Sequence, residues 1–258
     1  MILVLKVEPL FTRERLEDVI FERNGQELLF GSAALYKYAF AWAAIYSLRF
    51  KYHVGWHLTE SALIIAGFGY QKQRNGTFDF SGANAIDFFS FEFSSNLRDV
   101  TTYWNVSVSK WLRNYVYTRV GRTAGTMSTV VTFLVSAVWH GTYAGYLIMW
   151  LHYAIVLQFI GRLAHRKIRP WFLNDVEHTF SSKNSTVMSY LYKIASLVGT
   201  SIFTTYLLPP FLLLSGSNAL QYYSSLNWFG HFALVPIYLI LTLIPYPKSR
   251  HPHSEKNE

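Results

Sequence analysis

Residues 127–160 read MSTVVTFLVSAVWHGTYAGYLIMWLHYAIVLQFI, two apolar runs, Met127 to Trp139 and Tyr143 to Ile160, joined at His140-Gly141-Thr142. Crossing a hydrocarbon core of about 30 Å takes roughly 20 residues of helix. The stretch is therefore one long kinked helix or two shorter ones, set at membrane depth. That placement singles out His140, because an ionisable side chain inside a span is costly and is kept for a reason. Two reasons fit. Imidazole, with an ordinary pKa of about 6.5, suits general-base catalysis; equally, a histidine can serve as a polar contact to a neighbouring helix. Gly141 permits close approach of backbone or ligand. Ser136 stands four residues before His140, but no acid partner completes a serine-hydrolase triad.

Outward from this stretch the pattern repeats. Leu28 to Leu48 is apolar and aromatic, interrupted by Lys37, and Val54 to Tyr70 follows with Gly55, Gly67 and Gly69. Lys37 and Glu60 in this pair have to face protein or water. Downstream, Val187 to Leu214 reads as a span bent or ended near Pro209-Pro210, and Trp228 to Ile244 as the last one. The expectation is an all-α, polytopic transmembrane bundle of about five or six spans. Amphipathic interfacial helices join it: one within Pro9 to Gln26, another over Asp99 to Arg119, where Trp104, Val108, Trp111 and Tyr115 recur at helical spacing. The connector Gln71 to Arg98 carries six phenylalanines, which predicts packing at the interface or into the protein. Trp171 to Asn184 reads as polar connector. Residues 1–247 are expected to form one membrane domain, and 248–258 a polar, disordered tail. The opening Met-Ile-Leu-Val-Leu-Lys is too short for a signal-peptide core, so targeting is expected from the internal spans.

Composition agrees with a lipid solvent. Hydrophobic residues make up 51% of the 258, aromatic residues 18% and charged residues 15%, against about 25% charged in soluble domains. Mean hydropathy is a modest +0.16 because polar connectors dilute the apolar runs. The chain has no cysteine, which excludes disulfides, thiolate catalysis and cysteine-based metal sites. The net charge of +8 falls in connectors such as Arg119 to Arg122 and His165 to Arg169, and at Lys248 to His253. Such scatter argues against nucleic-acid binding and for attraction to anionic headgroups.

A second constellation is Tyr103-Trp104-Asn105-Val106-Ser107-Val108-Ser109-Lys110-Trp111-Leu112-Arg113. Asn105 can donate and accept at once, although the same residues fit an interfacial helix with a tryptophan belt. Asn105-Val106-Ser107 is also a glycosylation sequon, as are the triplets starting at Asn75 and Asn184; two flanking tryptophans fit an exposed, modified Asn105 poorly. His53 and His57 have the i, i+4 spacing compatible with a metal, without an HExxH context, and no metal site is expected. Gly67 to Tyr70 lacks the rest of a dinucleotide fingerprint and reads as packing or a turn. His152 reads as a second polar contact and His231 as structural.

Together the two constellations resemble the membrane-bound O-acyltransferase superfamily. The resembling residues are Trp104-Asn105, then Trp111-Leu112 and Tyr115-Val116-Tyr117, then Ser136-Ala137-Val138-Trp139-His140-Gly141 with Tyr143 and Gly145-Tyr146. Their order and spacing look like the lysophospholipid acyltransferase branch, including its fungal broad-specificity enzymes, densely from Gly67 to Arg169 and more loosely beyond. The resemblance implies acyl transfer from acyl-CoA, a co-substrate and not a resident cofactor, to the free hydroxyl of a lysophospholipid during phospholipid remodelling in the endoplasmic reticulum membrane. It implies His140 and Asn105 as catalytic residues, with Trp104, Trp111 and Trp139 at the substrate. Arg119 and Arg122 are candidates for the phosphates of coenzyme A. Members of that branch carry further spans before the resembling region, so the chain is expected to correspond to their C-terminal part. Acylation of a protein, a sterol or diacylglycerol stays open at this point, as does a non-catalytic membrane protein that binds lipid or a partner.

Overall fold

The computed structural model describes residues 8–21, 33–72, 77–120, 125–173 and 187–246. Its longest element, α2 (Ala33–Ile65), is a single 33-residue helix, about 50 Å long at 1.5 Å per residue. Two separate spans were expected here, and the structure corrects that. Between Phe50 and Val54 no proline interrupts the chain, and a lone Gly55 costs only about 1 kcal/mol in a helix. The charges fare as the cost of desolvation requires: Lys37 is buried within the protein and Glu60 accepts hydrogen bonds. Ahead of α2 lies the amphipathic α1 (Arg13–Phe21), which buries Leu16 and Ile20 and exposes Glu14 and Arg15.

After α2 the chain forms a minimal antiparallel hairpin, β1 (Gln71–Lys72) with β2 (Phe78–Asp79), which makes the fold nearly all-α instead of all-α. Of the connector phenylalanines Phe91 is buried, whereas Phe78, Phe89 and Phe93 are exposed. Three short helices follow: α3 (Phe88–Glu92), α4 (Leu97–Tyr103) and α5 (Val106–Leu112), the last continuing through a wide π-turn at Arg113–Tyr117 to Val120. The single amphipathic helix expected over Asp99 to Arg119 is therefore broken at Trp104-Asn105. Side-chain spacing registers on both sides of a break, and periodicity alone does not see the break.

Residues 127–160 lie in two helices. α6 (Thr126–His140) ends where Gly141 takes φ +134°, and α7 runs from Ala144 to Phe172 through a π-turn at Val156–Gly161. Helix α7 thus extends over Trp171-Phe172, expected as connector; residues 174–184 of that connector lie outside the described residues. Gly145, at the start of α7, packs with no clearance: its amide donates to the Leu214 carbonyl at 2.7 Å, and a Cβ there would sit 2.2 Å from the Pro210 carbonyl oxygen. The next helix, α8 (Val187–Leu207), breaks at Leu208 and resumes as α9 (Pro209–Leu213), where proline at a first helical turn is tolerated. α10 (Gly216–Ser225) and α11 (Phe229–Leu243) are bent against each other by 75°.

Among the described residues two helices are long and apolar enough to cross a membrane, Ala144–Phe172 and Val187–Leu213, or three if the bent pair α10–α11 is one span. The expected five or six spans counted shorter apolar segments. α6, at 15 residues, reaches only about 22 Å. The interior is closed by Tyr206, Tyr222, Tyr223, Leu207, Leu213 and Leu226 with Leu16 of α1. Large apolar side chains such as Val187, Phe232 and Leu243 are instead exposed. An exterior this apolar suits lipid contact.

Candidate active site

Asn105 occupies the break between α4 and α5 in the left-handed region, φ 45° and ψ 61°. Asparagine tolerates that region better than most residues. Although it stands at the helix N-terminus, its side chain makes no capping bond. The preceding Trp104 is caged by aromatic rings, with Trp56 and Phe91 centroids at 4.7 and 4.8 Å and Tyr52 at 5.8 Å. His53, 6.0 Å from the same ring, is fixed through Nε2 to Glu92 Oε1 at 2.8 Å, and Arg49 pairs with the other Glu92 oxygen. Of the pair considered for a metal, His57 meets a different carboxylate, Glu60, at 2.8 Å.

His140 is the last residue of α6. Its ring lies against Trp150 (5.5 Å, stacked), Phe211 (5.3 Å, edge-on) and Tyr146 (5.9 Å). Among the described residues no hydrogen bond engages its imidazole. His140 is half-buried, and neither ring nitrogen is a sealed, unpartnered atom. The two other histidines of the apolar region are bonded. His152 Nδ1 meets the Tyr223 hydroxyl at 3.2 Å and His231 Nδ1 the Tyr206 hydroxyl at 2.6 Å. The expectation of polar and structural contacts at His152 and His231 agrees with this.

Asn105 and His140 line one cavity of about 880 Å³. Trp104 and Trp139 line it too, as does Trp150. One wall is a hydroxyl-bearing face of α6, Thr129, Thr132 and Ser136, one to three turns before His140. Basic side chains gather along another part: Arg98, Arg113, Arg162, His165 and Arg166. Two expected residues are absent from the lining. Trp111 is exposed and packs on Tyr115 at 5.6 Å, and the Arg119 guanidinium lies over the same Tyr115 ring at 5.4 Å. The same helix turns its neighbours Lys110, Leu112, Arg113 and Tyr117 to the cavity, so Trp111 and Arg119 stand on its other face. Arg122 lies outside the described residues, as do Asn75 and Asn184. The basic run from Arg162 was visible in the sequence but read as the end of a span. Trp150, two turns into α7, carried no sequence signal beyond its place in an apolar run.

Comparison with known proteins gives the family. Residues 2–208 match the family described as MBOAT, membrane-bound O-acyltransferase family. The lysophospholipid acyltransferase of Schizosaccharomyces pombe is 33% identical over 219 residues, which are 82% of this chain and 40% of that protein. The lysophospholipid acyltransferase of Saccharomyces cerevisiae is 31% identical over 78% of this chain and 32% of its own length. Membrane-bound glycerophospholipid O-acyltransferase 2 of Mus musculus is 26% identical over 83% and 38% respectively. The chain spans well under half the length of these three relatives. It belongs to the membrane-bound O-acyltransferase family.

Proposed function

We propose that the cavity is the catalytic centre of an acyl-CoA-dependent O-acyltransferase that re-acylates a lysophospholipid hydroxyl, with His140 as base and Asn105 as its partner. One observation carries the reading: His140, unengaged by any described hydrogen bond, and Asn105, on a separate helix, line the same cavity. The names of the relatives supply the substrate class.

The chemistry is short. The neutral His140 imidazole takes the proton of the lysophospholipid hydroxyl as that oxygen attacks the thioester carbonyl. Asn105 donates to the developing oxyanion or orients the hydroxyl. The carbon–sulfur bond breaks, and the coenzyme A sulfur leaves with the proton that His140 returns. Trp139 and Trp150 exclude water, which limits hydrolysis of the thioester. Arg98, Arg113, Arg162 and Arg166 attract the phosphates of coenzyme A, in place of Arg119. Residues 1–247 act as one membrane domain in the endoplasmic reticulum, with 248–258 as a tail.

The test is acyl transfer from radiolabelled oleoyl-CoA to a panel of lysophospholipids in membranes that express the chain. Labelled phospholipid above the level of empty membranes is expected. Label on sterol, diacylglycerol or peptide acceptors alone would replace the substrate class. No product on any acceptor would sink the catalytic reading for this chain.

A further inference from the structure

The Asn105 turn is held from outside. Its left-handed backbone is uncommon for a residue with a side chain, and that side chain makes no capping bond. The bracket is the segment from Asn84 to Asp87. On one side of Asn105 the Asp87 amide donates to the Tyr103 carbonyl at 3.3 Å. On the other, the Val106 amide donates to the Ala85 carbonyl at 2.6 Å, and the Ser107 hydroxyl reaches the Asn84 carbonyl at 3.4 Å.

This bracket is itself pinned at one atom. The amides of Ala85 and Ile86 both donate to Glu60 Oε1, the second at 3.3 Å. Glu60 projects from α2, its side chain only 12% exposed, and its other oxygen meets His57 Nδ1 at 2.8 Å. Ala85 is thus tied in both directions: its amide is fixed by Glu60 and its carbonyl fixes Val106. A carboxylate that accepts two amide hydrogens makes charge-assisted bonds, stronger than neutral ones. A chain of two bonds therefore links a side chain on α2 to the backbone of the candidate catalytic asparagine.

We propose that Glu60 is a positioning residue of the active centre, acting through the Ala85 and Ile86 amides to hold the Asn105 turn, with His57 orienting its carboxylate. The proposal rests on the reading of Asn105 as a catalytic residue. A merely structural carboxylate, one that only satisfies two amides, would change stability without touching turnover selectively. The positioning role acts on the transition state and moves kcat more than KM.

The experiment compares Glu60→Gln, Glu60→Asp and Glu60→Ala in the whole chain by two measurements. The first is hydrogen–deuterium exchange of the segment from Tyr103 to Ser107. The second is acyl transfer with kcat and KM resolved for oleoyl-CoA and lysophospholipid. Glu60→Gln keeps an oxygen acceptor at full reach and should stay within about threefold of the parent in both. Glu60→Asp keeps the charge but shortens the reach by one methylene. It should fall with Glu60→Ala: faster exchange at Val106 and kcat lower by about ten- to a hundredfold, with KM within about threefold. Glu60→Asp also keeps the test decisive if Glu60→Ala does not fold. Unchanged exchange in Glu60→Asp and Glu60→Ala, or a Gln variant as impaired as Ala, would overturn the positioning role. Full transfer by Asn105→Ala would instead sink the catalytic reading of Asn105 and leave the exchange result standing.

Discussion

Three histidines sit in the apolar half of the molecule, and the fold treats them in two ways. His152 and His231 face each other at 5.0 Å, each tied to a tyrosine hydroxyl, within a knot of Tyr206, Tyr222, Tyr223 and Trp228. His140 is surrounded by rings just as closely but has no described hydrogen bond, and it borders the cavity. The knot ties both of its histidines to tyrosine hydroxyls. The cavity leaves the His140 imidazole available. Burial and aromatic surroundings alone do not separate a structural histidine from a reactive one; the state of the ring nitrogens does.

The comparison can be broken most severely at His140. Replacing it with alanine should lower acyl transfer by about a hundredfold or more, the range for loss of a general base. Because the ring also packs against Trp150, Phe211 and Tyr146, the thermal midpoint in detergent should fall modestly, and transfer is compared per folded molecule. A variant that retains transfer would show that the base lies elsewhere. A smaller effect is expected at the rim. Arg162→Ala with Arg166→Ala should raise KM for acyl-CoA by about tenfold, at roughly 0.7 kcal/mol per exposed charge pair. The effect should shrink in high salt. Arg119→Ala, outside the cavity, should leave KM within about twofold. If Arg119 moves KM as much as the rim pair, the cation assignment is wrong.

In the tyrosine knot, Tyr206→Phe strips half-buried His231 of its hydrogen-bond partner. It should cost about 0.5–1.5 kcal/mol of stability, read as a lower thermal midpoint. Transfer per folded molecule should change by less than about twofold. Loss of transfer at unchanged stability would mean that the tyrosine knot takes part in the chemistry and that the division drawn above is false.

Much of this was legible in the sequence, for reasons that also explain the misses. His140 stood out as a polar group between apolar runs, whereas Asn105, in a polar and aromatic stretch, joined it only through the family resemblance. At His140-Gly141 the sequence marked a kink or a break, and the structure has the break. Span count was not legible. A run such as Met127 to Trp139 is apolar whether it crosses a bilayer or packs as a short helix, and α2 hides no boundary between its two apolar halves. Trp111 and Arg119 were expected from the family resemblance and from a basic connector, neither of which says which face of a helix meets a cavity, and neither residue lines this one. The cations of α7 were seen as charge at the end of a run. A wide turn at Val156–Gly161 within a helix has no sequence signature, and neither does the side of a cavity that the next turn will face.

The zero-clearance contact at Gly145 sets a mechanical tolerance for the reaction chamber. With a helix backbone resting directly on the carbonyls of Pro210 and Leu214, the start of α7, just after His140, and the helix that carries Phe211 are registered backbone to backbone, not through compressible side chains. Repacking around them has little to push against. For anyone reshaping the chamber, a change at Phe211 acts directly on the imidazole it touches, and Gly145 is the position with no room for a side chain.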